Sequence, residues 1–223
     1  MKEIILIRHG QSVWNKQGLF TGWEDVRLSE QGISEAVEAG ALIEKHKIKF
    51  TLGFTSMLRR AIQTLWIALG ECDQVNLPII KNWHLNERHY GGLQGSNKEE
   101  MRKLHGKEQV HEWRRSFHTK PPETDKIVKA HPLYKGLEVN PRSESLGDTC
   151  DRVIPYWNED IFPHVMNGEK VIVAAHGNSL RALIMHIEQI SEDDIVKLEI
   201  PTGKPISIKF DDKGNFQERN FLE

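Results

Sequence analysis

Ile4-Ile5-Leu6-Ile7 is a run of four aliphatic residues with no polar alternation, which predicts a strand covered on both faces, as in a parallel sheet. Arg8, His9 and Gly10 end it. Val171-Ile172-Val173-Ala174-Ala175 is a second and clearer run of this kind, and it too stops at His-Gly, here His176-Gly177. Shorter extended pieces are expected at Thr51 to Thr55 and at Pro78-Ile79-Ile80. The rhythm turns helical at Ser29, an N-capping residue type, after which Ile33, Val37, Gly40 and Ala41 share one side. Further helices are expected from Met57 to Leu69, from Asn178 to His186 and, shorter, behind Ser191. Ile206, Ile208 and Phe210 alternate with Ser207 and Lys209, the pattern of a half-exposed strand at a sheet edge. Strands alternating with helices make an α/β chain with a largely parallel sheet.

The middle of the chain is less regular. Residues 86–118 hold a turn rich in glycine (Gly91, Gly92, Gly95) and then two short helical stretches. Residues 119–145 carry Pro121, Pro122, Pro132 and Pro141 among scattered charges, which predicts a long surface excursion. Regular structure resumes at Ser145, with Asp148 placed to complete a capping box. Leu146, Cys150, Val153, Trp157 and Ile161 then fall on one helical face, and Pro155 inside that span predicts a kink or a break.

Composition narrows the classes. The chain has 223 residues, within reach of one elaborated domain, and no repeat or linker divides it, so 1–223 is expected to be a single domain. Lys plus Arg is 30 against Asp plus Glu at 32, a net charge of −2, which argues against recognition of nucleic acid through bulk positive charge. Cys72 and Cys150 are too few for a disulfide framework and lack the spacing of a structural zinc site. A secretory signal needs about 7–15 apolar residues and a membrane helix about 18 or more. The run at Ile4 to Ile7 falls short of both, so a soluble, cytoplasmic protein is expected. His46, His105, His111, His118, His131 and His164 have no ligand spacing, and His84 with His89 lacks a third partner, so no metal is expected. The six tryptophans read as packing anchors.

The chemistry concentrates where the two apolar runs end. In an open parallel sheet, ligands bind beyond the carboxyl ends of the strands. His9 and His176 are far apart along the chain, yet both would emerge at that rim. Gly177 lets a ligand approach the backbone, the helix behind it presents free N–H groups, and Arg8 adds a guanidinium suited to phosphate. A neutral imidazole can accept a phosphoryl group and pass it on. Taken singly, each feature also has a plain reading. A histidine after a strand is commonly packed or solvated, Glu87 beside Arg88 can be a surface ion pair, and Lys98, Arg114 and Arg115 can be a solvated helix face.

Arg8-His9-Gly10-Gln11-Ser12-Val13-Trp14-Asn15 resembles the signature of the histidine phosphatase superfamily. The likeness extends through Phe20-Thr21-Gly22-Trp23, Thr55 to Ala61, Leu85 to Gly95, Trp113-Arg114-Arg115, Glu144-Ser145-Leu146 and Ala174 to Arg181. Within that superfamily it points to the 2,3-bisphosphoglycerate-dependent phosphoglycerate mutases, which interconvert 3- and 2-phosphoglycerate. The resemblance implies a three-layer α/β fold with helices on both faces of the sheet and an irregular 86–145 excursion over the site. It implies His9 as the nucleophile, His176, Arg8 and Arg60 around the transferring phosphoryl group, and Asn15 and Gly177 as further donors. Glu87 is then the general acid and base, and Arg88, Tyr90, Lys98, Arg114, Arg115 and Asn178 grip the other end of the substrate, beside Thr21 and Gly22. It further implies 2,3-bisphosphoglycerate as phosphoryl primer, a small phosphorylated substrate, no nucleic acid, no membrane, and a homodimer with a tetramer as the alternative.

Departures from the family pattern are Gln11 where many members have Glu, Ser96 before Asn97-Lys98, a shorter 119–145 excursion, and an ending at Phe221-Leu222-Glu223 where relatives continue into a covering tail. A phosphatase on the same fold is the nearest rival, and Lys98, Arg114 and Arg115 weigh against it. A silent phosphate-binding scaffold would not need His9 or Glu87, and a nucleic-acid partner would have to use the basic residues from Arg114 to Lys135.

Overall fold

The computed structural model describes residues 1–126, 134 and 141–223. Its strands are β1 (Lys2–Arg8), β2 (Leu52–Thr55), β3 (Ile79–Lys81), β4 (Val171–Ala175), β5 (Pro205–Phe210) and β6 (Phe216–Phe221), in the sheet order β3-β2-β4-β1-β5-β6. The helices are α1 (Val13–Lys16), α2 (Glu30–Lys45), α3 (Arg59–Glu71), α4 (Lys98–His105), α5 (Lys107–Arg115), α6 (Leu146–Tyr156), α7 (Phe162–Met166), α8 (Gly177–Glu188) and α9 (Glu192–Ile195). The first four strands run parallel, and β5 and β6 are added antiparallel. Both apolar runs are central strands buried on two faces, as their lack of alternation requires. Ile4 and Leu6 pack with α6, α7 and α8 residues on one side, while Ile5 and Ile7 meet α2 and α3 residues on the other. The result is the expected three-layer arrangement.

The register brings the two histidines together. β1 pairs with β4 in parallel with Arg8 opposite Ala175, so His9 and His176 leave neighbouring strands at the same level. The His9 amide donates to the Ala175 carbonyl at 2.9 Å, one rung beyond the strand ends.

Two readings of the pattern need correction. In α2 the buried stripe is Gly32, Ala36, Ala39, Gly40 and Ile43, whereas Ile33 and Val37 are exposed. Close approach by its neighbours selects the small residues and leaves the larger apolar ones outside. β5 is not an edge, because it is paired on both sides and β6 is the edge. Alternation reports what covers a strand's faces and says nothing of its lateral neighbours; Ser207 is buried too, donating to Glu3 Oε1 at 2.7 Å. In the 119–145 segment Lys120, Pro122, Glu123, Asp125, Lys126 and Arg142 are exposed, as on a surface excursion, and its ends are pinned to the body. Pro121 and Ser143 are buried, Ser143 Oγ donates to the Pro121 carbonyl at 2.6 Å, and Tyr134 stacks on Trp23. Residues 127–133 and 135–140, with Pro132 and His131, lie outside the described residues. The break expected at Pro155 takes the form of a π turn over Trp157–Ile161, where the Phe162 amide reaches back to the Trp157 carbonyl. The capping box of Ser145 and Asp148 is present.

Gly10 and Gly32 seat the His9 loop on α2. A Cβ at Gly32 would strike the Gln11 carbonyl, and one at Gly10 would strike the Gly32 carbonyl. Gly70 of α3 instead faces open space. Both glycines are helical, so propensity alone makes Ala better at each by about 1 kcal/mol. Gly70→Ala is expected to raise thermal stability by that order, while Gly32→Ala should lose roughly 1–3 kcal/mol through backbone overpacking. Thermal denaturation of the two variants measures the opposite signs.

Candidate active site

Three adjacent parallel strands deliver the centre of the site from their carboxyl ends: His9 after β1, His176 after β4 and Ser56 after β2. The two imidazoles meet edge to face with centroids 4.9 Å apart, and both are buried. The 2.7 Å contact between His9 Nδ1 and the Gly10 carbonyl makes Nδ1 the protonated nitrogen of a neutral ring, since a carbonyl only accepts. Nε2 therefore keeps its lone pair, toward which Arg60 Nε donates at 3.3 Å. His176 Nε2 is hydrogen-bonded to Ser56 Oγ at 2.7 Å. Burial, then the charges of Arg60 and Arg8, hold His9 well below the usual histidine range. Burial and Arg60 do the same for His176. Both rings rest neutral at pH 7.

Cations surround this pair. Arg60, at the start of α3, donates to the Glu24 and Gly22 carbonyls at 2.8 and 2.7 Å, and burial lowers its pKa to about 10, still charged at neutral pH. Arg8 NH1 donates to the Ile200 carbonyl at 2.6 Å, while its buried Nε has no partner among the described residues. Thr21 Oγ1 is likewise buried without a partner. Asn15 Oδ1 accepts from the Ser12 amide in the α1 capping box, which leaves its Nδ2 as the free donor. Gly22 takes φ +53°, and a Cβ there would strike the Gln94 side chain, so the turn requires glycine. At Gly177 a Cβ would find only ordinary contacts with Arg8 and Glu87, the nearest at 3.5 Å. Packing within the protein does not demand that glycine, and the space above it is left to a ligand.

Glu87 is held from two sides. Its main-chain carbonyl accepts from Trp23 Nε1 and from Arg152 NH2, and Arg152 also donates to the His84 and Asn86 carbonyls. Arg152 is itself paired with Glu144 at 2.7 Å in a buried ion pair. The Glu87 side chain accepts at Oε1 from the Arg88 amide (2.8 Å), the Asn178 amide (3.1 Å) and Asn178 Nδ2 (2.9 Å). Oε2 accepts no hydrogen bond among the described residues and lies on the side of Gly177.

Tyr90, Lys98, Arg114 and Arg115 form the far wall of the same pocket. Burial pushes the Tyr90 phenol up, but the charge and hydrogen bond of Arg88 together with the charge of Arg114 carry it below its ordinary value. Burial lowers Lys98 and Arg114, which sit among other cations. Arg115 is ion-paired with Glu199.

Of the residues singled out from the sequence, all but His176 and Arg88 line this one pocket. His176 lies directly behind His9. Arg88 is fully buried beneath the far wall, where NH2 donates to Tyr90 Oη and the Arg114 carbonyl while Nε and NH1 have no partner among the described residues. Leu19, Phe20, Arg181, Glu199 and Ile200 also line the pocket and were not expected there. Arg181 follows Asn178 by one helical turn, a signal that spacing could have supplied. Glu199 and Ile200 arrive on a loop whose placement is purely tertiary. In total six cations and two carboxylates face the cavity, which suits a ligand with more than one anionic group. Among the described residues, no group of three or more His, Cys, Asp or Glu side chains could hold a metal ion, and no helix is long and apolar enough to cross a membrane.

The chain is similar to known proteins along its whole length. A relative from Erythrobacter litoralis, named 2,3-bisphosphoglycerate-dependent phosphoglycerate mutase, is 51% identical over 100% of this chain and 99% of its own. Among solved structures, a putative alpha-ribazole-5'-P phosphatase from Escherichia coli superposes with a TM-score of 0.76 at 19% identity, covering 100% of this chain and 98% of that one. A phosphoglycerate mutase from Bacillus anthracis gives a TM-score of 0.72 at 21% identity, covering 97% and 90%. Phosphatase and mutase neighbours share this fold alike, so fold likeness does not separate the two activities. The model of the histidine phosphatase superfamily (branch 1) matches residues 4–221, and the chain belongs to that family.

Proposed function

We propose that the chain is a 2,3-bisphosphoglycerate-dependent phosphoglycerate mutase, an isomerase of glycolysis and gluconeogenesis that works through a phosphohistidine. The observation that carries this reading is one pocket holding, among the described residues, a neutral His9 whose unprotonated Nε2 meets only Arg60 Nε, the Glu87 Oε2 that accepts no hydrogen bond, and a second cationic wall of Lys98, Arg114 and Arg115. The 51% identical relative of the same name supports it. A phosphatase needs a single phosphate site, whereas a mutase must also hold a second anion while its intermediate turns, and the far wall favours the mutase.

Each residue's part follows from its surroundings. His9 Nε2 carries the phosphoryl group, with Nδ1 fixed on the Gly10 carbonyl so that the reactive lone pair is aimed. Arg8, Arg60, Asn15 and His176 stabilise the oxygens of the transferring group. The orphaned donors at Arg8 Nε and Thr21 Oγ1 fit the oxygens of a phosphorylated ligand. In the forward transfer, Glu87 Oε2 takes the hydroxyl proton as the substrate oxygen bonds to phosphorus and the N–P electron pair returns to His9. In the return transfer the same carboxyl gives the proton back to the departing oxygen. Bisphosphoglycerate supplies the phosphoryl group that first charges His9. We further read 1–223 as one cytoplasmic catalytic domain that forms a homodimer. Trp66 and Ile80, 49% and 42% exposed, are apolar surface that a second subunit could cover.

His9→Ala is expected to abolish both mutase turnover and labelling of the protein by bisphosphoglycerate. Omitting bisphosphoglycerate from a coupled assay should stall the parent enzyme and restoring it should revive turnover. Turnover without His9, or release of inorganic phosphate faster than mutase flux, would remove the reading.

The neutral histidines also set a pH dependence of stability. His9 and His176 sit well below 6.5 in the folded protein, and burial lowers His89 to about 4. Below pH 6.5 the unfolded chain therefore binds protons that the folded chain excludes. Their contribution is complete above that pH and is lost as pH falls, by at most about 1.4 kcal/mol per unit for each ring. Urea unfolding between pH 7.5 and 5 should show a falling midpoint that is shallower in His89→Gln.

A further inference from the structure

The Asn178 amide sits between Arg181 and Glu87. Arg181 is 3% exposed, and its NH1 lies 3.2 Å from Asn178 Oδ1. A guanidinium has donors only, so whatever faces it must accept. The amide oxygen of Asn178 is thereby turned toward Arg181, and its NH2 group is turned to Glu87 Oε1 at 2.9 Å and Tyr90 Oη at 3.2 Å. Arg181 is in turn fixed by donation from NH2 to the Ile195 carbonyl at the end of α9. Without Arg181, either orientation of the amide would be allowed at that end.

We propose that Arg181 is a positioning residue for the acid-base step, acting through the Asn178 amide to make Glu87 Oε1 a permanent acceptor and so confine the catalytic proton to Oε2. With three N–H groups aimed at Oε1, no proton can be placed there without opposing a donor. Oε2 is the oxygen left open on the pocket side. The hydroxyl proton of the substrate moves to Oε2 as the N–P bond breaks, and it leaves from Oε2 in the return transfer, so the carboxyl need not rotate between them. The carboxylate is the form that takes a proton from the substrate of the phosphorylated enzyme. Other charged and titratable groups around Glu87 are Arg8 across Gly177, Arg60 from α3, Arg88 and Tyr90 on its own segment, and Arg152 at its carbonyl. All of them remain when Arg181 is replaced.

This inference rests on the reading of Glu87 as acid and base, and the test separates the two. In Arg181→Met the Asn178 amide loses the donor that anchors its oxygen and is held only from the Glu87 side, so its donation to Oε1 weakens and the acid limb of mutase kcat/KM against pH should move up, by at most about one unit. The loss relative to the parent should then be absent at pH 8, grow as pH falls and approach tenfold only on the acid side of both limbs, and the titration of the substrate itself cancels in that comparison. Asn178→Ala should move the limb the same way, the double variant should move it no further, and Arg181→Lys should return it toward the parental position. If Arg181→Met fails to fold, Asn178→Ala and Arg181→Lys carry the same test. A loss equal at every pH, or shifts that add in the double variant, would overturn the role of Arg181. Full turnover in Glu87→Gln would instead overturn the acid-base reading on which it rests.

Discussion

One hydrogen bond, from the His9 amide to the Ala175 carbonyl, fastens the end of β1 to the end of β4 and thereby sets the centre of the site. Parallel pairing in this register places two residues from opposite ends of the chain side by side. A slip of one residue along either strand would turn its histidine to the other face of the sheet. The aliphatic runs that precede the histidines prevent this slip, because Ile4 and Leu6 belong to one core and Ile5 and Ile7 to the other. Burial of both faces is therefore the force that aims the imidazoles.

The electrostatics follow from that placement. Buried rings amid guanidinium groups stay neutral, so in the role proposed for it His9 would need no dedicated base to deprotonate it. Glu87 is held differently, by backbone and amide donors at Oε1, with its main chain braced by Trp23 and Arg152. The Arg152–Glu144 pair beneath it takes no part in the pocket. Its buried charges tie the segment carrying Glu87 to α6, a use of an ion pair to specify position more than to add stability.

How much of this was legible in the chain depended on the kind of contact involved. The two central strands, the capped helices and the residues of the phosphate end could be read because aliphatic runs, caps and ordered motifs are local signals. The buried face of α2 could not, because glycines and alanines carry little hydrophobic signal and are selected there by how closely neighbours approach. β6 escaped notice for a related reason: its side chains are mostly exposed, and only its pairing with β5 makes it a strand. The motif that holds Arg88 gave no sign of its depth, which depends on how the far wall folds over it. Glu199 is the same case in reverse, a loop carboxylate brought to Arg115 by tertiary structure alone.

The surplus of positive charge around the cavity has a cost that falls on the empty protein. Arg8, Arg60, Lys98, Arg114 and Arg181 crowd one another with few carboxylates to offset them, and burial lowers the charge affinity of several. Fold and function therefore pull in opposite directions at these positions. Selection for heat resistance alone would be drawn to this cluster, trading a guanidinium or ammonium for a neutral side chain of similar bulk. Lineages that followed it would keep the sheet and lose the catalyst.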